Sequence, residues 1–117
     1  MANVSAYRFV GPTTAITVSA TSSTAVTITP NGNDQANFCG FLNTAATPVA
    51  ITIAPAGGAA GATAGAAVLP TGGNTSQSFV LGTGMNQPTV LAVPPIFSIT
   101  CIGTSGTLYV MPMVDQN

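Results

Sequence analysis

The sequence predicts an all-β chain. The fold expected is a single-domain antiparallel β-sandwich over 1–117, jelly-roll or Ig-like, with one long Ala/Gly-rich loop within it. Three observations predict it. Apolar β-branched residues alternate with Thr and Ser at period two in several short runs. Clusters of Gly, Pro, Asn and Ser separate the runs at close, regular spacing. No stretch carries the apolar stripe that would dock a helix.

The runs come in order. AYRFV (6–10) opens the chain and ends at Gly11-Pro12, which reads as a turn. In TAITVSA, Ile16 and Val18 face one way and Thr17 and Ser19 the other. After Thr21-Ser22-Ser23, TAVTIT sets Val26 and Ile28 against Thr27 and Thr29. PNGND (30–34) is a tight turn, with Asn and Gly expected at positive φ. ANFCGFL (36–42) follows, and VAITI (49–53) alternates Val49, Ile51 and Ile53 with Ala50 and Thr52. The later runs are SFVL (78–81), TVLAV (89–93), IFSITCI (96–102) and TLYVMP (107–112), separated by Gly82-Thr83-Gly84, Pro94-Pro95 and Gly103-Thr104-Ser105-Gly106. Eight or nine short strands fit one sandwich, with under about a tenth of the residues in helix.

Between the two blocks of strands lies APAGGAAGATAGAAVLPTGG, and 55–75 is read as a long loop or arm. Ala favours helix, but Gly61 and Gly65 each cost about 1 kcal/mol there. A loop beyond ~12–15 residues in a compact domain is usually functional or disordered. The expectation is a crossover between two sheets, or an arm that orders against a neighbouring subunit. Small side chains permit close backbone approach.

Composition narrows the function classes. Charged residues make up 3% of the 117, against about 25% in ordinary domains. They are Arg8, Asp34 and Asp115; Lys, Glu, His and Trp are absent. A mean hydropathy of +0.52 at a net charge of -1 argues against disorder. Near-zero charge gives weak colloidal repulsion, so the surface is expected to be buried in an assembly. The N-terminus lacks a basic region followed by an apolar one, so no signal peptide is expected. No window is apolar enough for a membrane helix, and no membrane partner is expected.

The available chemistry is sparse. Without His, Lys or Glu there is no ready general base, so the chain is not expected to be an enzyme and no catalytic residue is assigned. Asn31, Asn33 and Asp34 form an oxygen-rich cluster, but it lacks the carboxylates of a calcium loop. No metal or cofactor is expected, and two Cys without His exclude zinc in practice. Arg8 alone cannot neutralise a phosphate backbone, which excludes nucleic acid. Arg8 is expected either to pair with Asp34 or Asp115, or to stand as a solvated charge that blunts an edge strand. Cys39 and Cys101 each sit in an apolar run and read as buried free thiols.

The segments AITVSATSSTAVTITPNG, FLNTAATPVAITI and AVPPIFSITCIGTSGTLYVMP resemble small virion proteins of tailed bacteriophages, of the capsid decoration or cement type. The resemblance covers most of the chain, though the loop at 55–75 is longer than the class leads one to expect. It implies a β-sandwich that binds the outside of a phage head and stabilises the shell. The partners implied are the major capsid protein and further copies of the chain, as a homo-oligomer expected to be a trimer. The location implied is the capsid surface of a virion assembled in the host cytoplasm. The alternatives are another phage component, such as a head fibre base or neck protein, and a sandwich that binds carbohydrate or a host surface.

Overall fold

A computed structural model describes residues 7–32, 35–56, 63–73 and 75–115. Among them no helix occurs, and nine strands carry the fold. These are β1 (Tyr7–Phe9), β2 (Thr14–Ser19), β3 (Val26–Ile28), β4 (Phe38–Asn43), β5 (Val49–Pro55), β6 (Phe79–Leu81), β7 (Thr89–Ala92), β8 (Phe97–Ile102) and β9 (Ser105–Asp115). Each coincides with one of the alternating runs, and β9 extends beyond 107–112 at both ends.

The strands form two antiparallel sheets packed as a sandwich. In the five-stranded sheet the order is β1-β9-β4-β7, with β2 also paired to β9. In the four-stranded sheet it is β3-β8-β5-β6. The first half of the chain pairs with the second in reverse order: β2 with β9, β3 with β8, β4 with β7, β5 with β6. This is one long two-stranded ribbon rolled up, and the pairs β4–β9 and β5–β8 close the roll. Such pairing is the jelly-roll, which decides between the two sandwich types. The loop after β5 is the turn at the ribbon's tip. It joins neighbouring strands of one sheet, so the expected crossover between sheets does not occur there.

The core follows from the alternation. Ile16, Val18, Phe41, Leu108 and Val110 from one sheet meet Val49, Ile51, Leu81, Phe97 and Ile99 from the other. Cys39 and Cys101 lie in the same cluster. Burying one such aliphatic or aromatic side chain contributes roughly 1.5–3 kcal/mol.

Gly11-Pro12 is not a hairpin turn. β1 and β2 run along the same edge of β9, with Phe9 opposite Met113 and Thr14 opposite Val110. The four residues 10–13 therefore oppose only 111 and 112. Pro112 sits at this slip. Its carbonyl accepts a bond from Val10 N at 3.1 Å, so its own nitrogen faces the same interrupted edge. A proline lacks the N–H of a continuous ladder, and the slip is where none is required. At PNGND, Gly32 has φ of 46°. No non-Gly residue among those described has positive φ, so Asn31 does not share that conformation.

The link from β8 to β9 crosses between sheets in two residues, Gly103 and Thr104. Gly106, inside β9, has φ of 127°, and a Cβ there would lie 2.5 Å from the Ala45 Cβ. Ala45 belongs to a turn built around Asn43, which is wholly buried. The Asn43 amide donates to the Thr47 carbonyl at 3.0 Å and to the Gly82 carbonyl at 2.8 Å. Its oxygen accepts from Ala45 N at 2.9 Å. One side chain thus ties the β4–β5 turn to the β6–β7 connection.

Replacing Asn43→Ala leaves one donor and two acceptors without that partner. Stability is expected to fall by about 3 kcal/mol, read as a lower urea midpoint at an unchanged m-value. A midpoint equal to the wild type would show that water or a shifted backbone takes over the amide's bonds.

Candidate functional site

Among the described residues, Arg8 and Asp115 lie near each other where β1 meets the end of β9. Arg8 is exposed on β1, in register with Val114, and Asp115 lies opposite Tyr7. Asp34 and Asn33 fall outside the described residues, so the oxygen-rich cluster is not placed. Among the described residues no group of three or more His, Cys, Asp or Glu comes together. Ser and Thr hydroxyls instead bind backbone, as below.

Cys39 and Cys101 are buried free thiols. Burial pushes the Cys39 thiol from 9.0 up to about 12, offset in part by a hydrogen bond with the Met111 backbone. Desolvation also raises Cys101, offset in part by the Ser23 hydroxyl. Neither is a nucleophile near neutrality, since the thiolate is the reactive form. A raised native pKa keeps the proton on the folded chain while the unfolded chain loses it. This stabilisation is present below pH 9.0 and is lost as pH rises towards 12. Denaturation midpoints should therefore fall across that range, and the fall should be shallower in Cys39→Ala. An equal slope in the two proteins would overturn this account. Thiol reagents at neutral pH should likewise label the protein only after denaturation.

Two broad surfaces remain. On the five-stranded sheet, Cys39, Phe41, Leu108 and Val110 face the core, so their neighbours in the strand point outward. These include Phe38, Leu42, Tyr109, Met111 and Met113 on the two central strands and Tyr7 and Phe9 on β1. The Met113 and Met111 methyls lie 2.8 and 3.5 Å from where a Cβ would stand on Gly40, so both side chains lie over that glycine. Tyr7 meets Phe38 edge-on with ring centroids 5.4 Å apart. Phe9 is 64% exposed, the most exposed large apolar side chain described. Antiparallel sheets usually turn a polar face to water. This one carries apolar side chains outward over β1, β4 and the later part of β9, with Met113 buried among them. Asp115 and, towards β2, Thr17, Ser19 and Thr107 share the face.

The four-stranded sheet has the middle of its outer face covered, while Thr27 and Val80 at its edges stay exposed. Ser98 and Thr100 of β8 point away from the core yet are buried, because residues 63–68 of the Ala/Gly loop lie across them. Ala64 N donates to Ser98 Oγ at 3.0 Å, and Thr100 Oγ1 donates to the Gly65 carbonyl at 2.6 Å. Further along, Ala67 N donates to Ser22 Oγ at 2.9 Å and Val68 N to Ser78 Oγ at 3.0 Å. Ala64 and Ala67 are buried, and their small side chains let the backbone come this close. The expectation that the arm orders against another molecule is corrected for this portion, which packs on its own sheet. Residues 57–62 lie outside the described residues.

Hydroxyls thus serve as anchors for a backbone strap. In a Ser22→Ala, Ser98→Ala double variant, amide exchange at Ala64 and Ala67 should quicken about five- to tenfold, as loss of a bond of about 1 kcal/mol implies. The core amides of β8 should be unaffected. Unchanged exchange at both alanines would show that something other than these hydroxyls holds the strap.

Comparison with known proteins finds no matching family model, no matching curated protein and no matching solved structure. The functional reading therefore rests on the two surfaces. The covered face carries no open ligand groups at Ser98 and Thr100. Period-two alternation by itself does not mark the open one. Its signal is nonetheless there: LYVMPMV and FCGFL are apolar at successive positions, the pattern of strands that are apolar on both faces.

Proposed function

We propose that the chain is a structural virion protein of the capsid decoration type, which binds the outside of a phage head and stabilises it. The observation that carries this reading is the cluster of outward apolar side chains, Phe9, Phe38, Tyr109 and Met111, on a sheet of a chain with three charged side chains in all. A surface of that kind is suited to permanent burial in an assembly. The jelly-roll is a frequent architecture of capsid proteins, though lectin-type domains share it. The segments quoted above for their likeness to phage virion proteins point the same way. The partners under this reading are the major capsid protein and further copies of the chain, and the location is the virion surface.

A decoration protein acts by mass action. A subunit that binds only the assembled shell stabilises that state by its binding free energy, repeated over many copies. The carbohydrate-binding alternative finds less support, since Tyr7 packs edge-on against Phe38 and Phe9 stands opposite Met113.

With so few charges, shell binding is expected to be nearly independent of salt. Purified protein should co-sediment with expanded heads of its phage equally at low and at molar sodium chloride, and should raise their melting temperature. Absence from purified virions, or release by molar salt, would overturn the proposal.

A further inference from the structure

We infer that Asn31 is a site of self-modification: in the folded chain its side-chain amide converts to a carboxylate through ring closure with the Gly32 backbone nitrogen. The reaction needs no enzyme, metal or partner, and the inference is independent of the shell-binding reading. Asn31-Gly32 is the one place in the sequence where Gly follows Asn.

The chemistry is intramolecular. The Gly32 nitrogen, on losing its proton to hydroxide, attacks the Asn31 side-chain carbonyl carbon. A carbon–nitrogen bond forms, the bond to the side-chain nitrogen breaks, and that nitrogen takes up a proton and leaves as ammonia. Water then opens the cyclic imide at either carbonyl. Opening at the former side-chain carbonyl gives aspartate. Opening at the backbone carbonyl gives isoaspartate, in which the main chain runs through the side-chain carbon. One water is consumed and one ammonia released, so no oxidant or reductant is required. Holding nucleophile and carbonyl in adjacent residues gives the ring closure a high effective concentration. A side chain on the second residue would crowd the approach, and Gly has none.

The fold puts this step within reach of solvent. Asn31 and Gly32 are both exposed. Among the described residues, nothing lies within 4 Å of where a Cβ would stand on Gly32. Gly32 also has φ of 46°, a conformation that side chains disfavour. The turn thus demands at position 32 the residue that leaves Asn31 most open to attack. The other described asparagines lack this setting. Asn43 is wholly buried, with its amide held by the Thr47 and Gly82 carbonyls and by Ala45 N. Asn37 and Asn86 are exposed, but Phe38 and Gln87 follow them.

The surroundings of the turn determine what the conversion changes. Upstream the chain is pinned: Asn31 N donates to the Val10 carbonyl at 2.6 Å. A Cβ on Gly11 would stand 3.0 Å from the Thr29 oxygen and 3.3 Å from Pro30 Cα, so this part of the turn is packed tightly. Conversion alters only atoms beyond the Asn31 nitrogen and Cα, and leaves that packing in place. Its electrostatic effect is large for this chain. One negative charge is added to a net charge of -1, beside only Arg8, Asp34 and Asp115.

Incubating the purified full chain in warm, mildly alkaline buffer tests this, with peptide mapping by mass spectrometry and fragmentation that separates Asn31 from Asn33. A sample denatured in guanidinium chloride runs alongside. In the folded chain Asn31 should convert to a mixture of aspartate and isoaspartate, faster as pH rises, before Asn37, Asn43 or Asn86 changes. A more acidic band should grow in step on isoelectric focusing. Asn31→Gln should remove that first acidic band, because the larger ring it would form closes far more slowly. Gly32→Ala should slow the conversion severalfold in the denatured sample, where strain at positive φ plays no part. An Asn31 that keeps its amide in the folded chain while the denatured chain converts overturns the inference. So does conversion of Asn86 ahead of Asn31, a first acidic band that persists in Asn31→Gln, or an unchanged rate in Gly32→Ala.

Discussion

Strand β9 is the constraint on which the five-stranded sheet depends. It accepts β1 and β2 along one edge and β4 along the other, over residues Ser105 to Asp115. Two local devices make that possible. The slip at residues 10–13 lets Pro112 occupy a central strand without leaving a bond unmade. Gly106 takes a left-handed φ and leaves room for Ala45, bringing the β4–β5 turn up against the start of β9. Since β1 and β2 lie near one end of the chain and β9 near the other, their pairings with β9 are the least local in the sheet. Folding that waits on such long-range contacts is intrinsically slow.

A second theme is the use of neutral groups where charges would be usual. Asn43 joins two connections from a fully buried position. Ser22, Ser98, Thr100 and Ser78 hold a strap by its backbone. Side-chain hydroxyls and amides satisfy buried backbone groups without the desolvation cost of an ion. Such bonds are also nearly indifferent to ionic strength.

The arrangement of surfaces links this economy to function. Loop residues cover the middle of one sheet, over Ser98 and Thr100. The other sheet keeps aromatic and Met side chains outward, next to an edge strand with exposed Phe9. A monomer in water gains nothing from that face, whereas an assembly gains its burial. The thiols fit the same picture, being core hydrophobes whose protons are held by desolvation rather than reactive groups.

The strands themselves were legible in the sequence. Ile16 with Val18, Val26 with Ile28, and Val49 with Ile51 alternate with Thr or Ala, and a period of two needs no tertiary knowledge to be read. So were the burial of Cys39 and Cys101 and the lack of helix. Which strands pair was not legible, because hydrogen-bond partners in a sheet are set by the rolled ribbon and not by local pattern. Gly11-Pro12 looked like a turn because its residues are turn formers, yet a shared partner strand makes it a slip in register. The Ala/Gly loop announced close backbone contact, but only the positions of Ser98 and Thr100 decided that the contact is within the chain. Composition by itself determined that any contact this protein makes has few charges to draw on. The tertiary structure decided which apolar residues point outward, since only packing determines which of two apolar sides of a strand becomes the core.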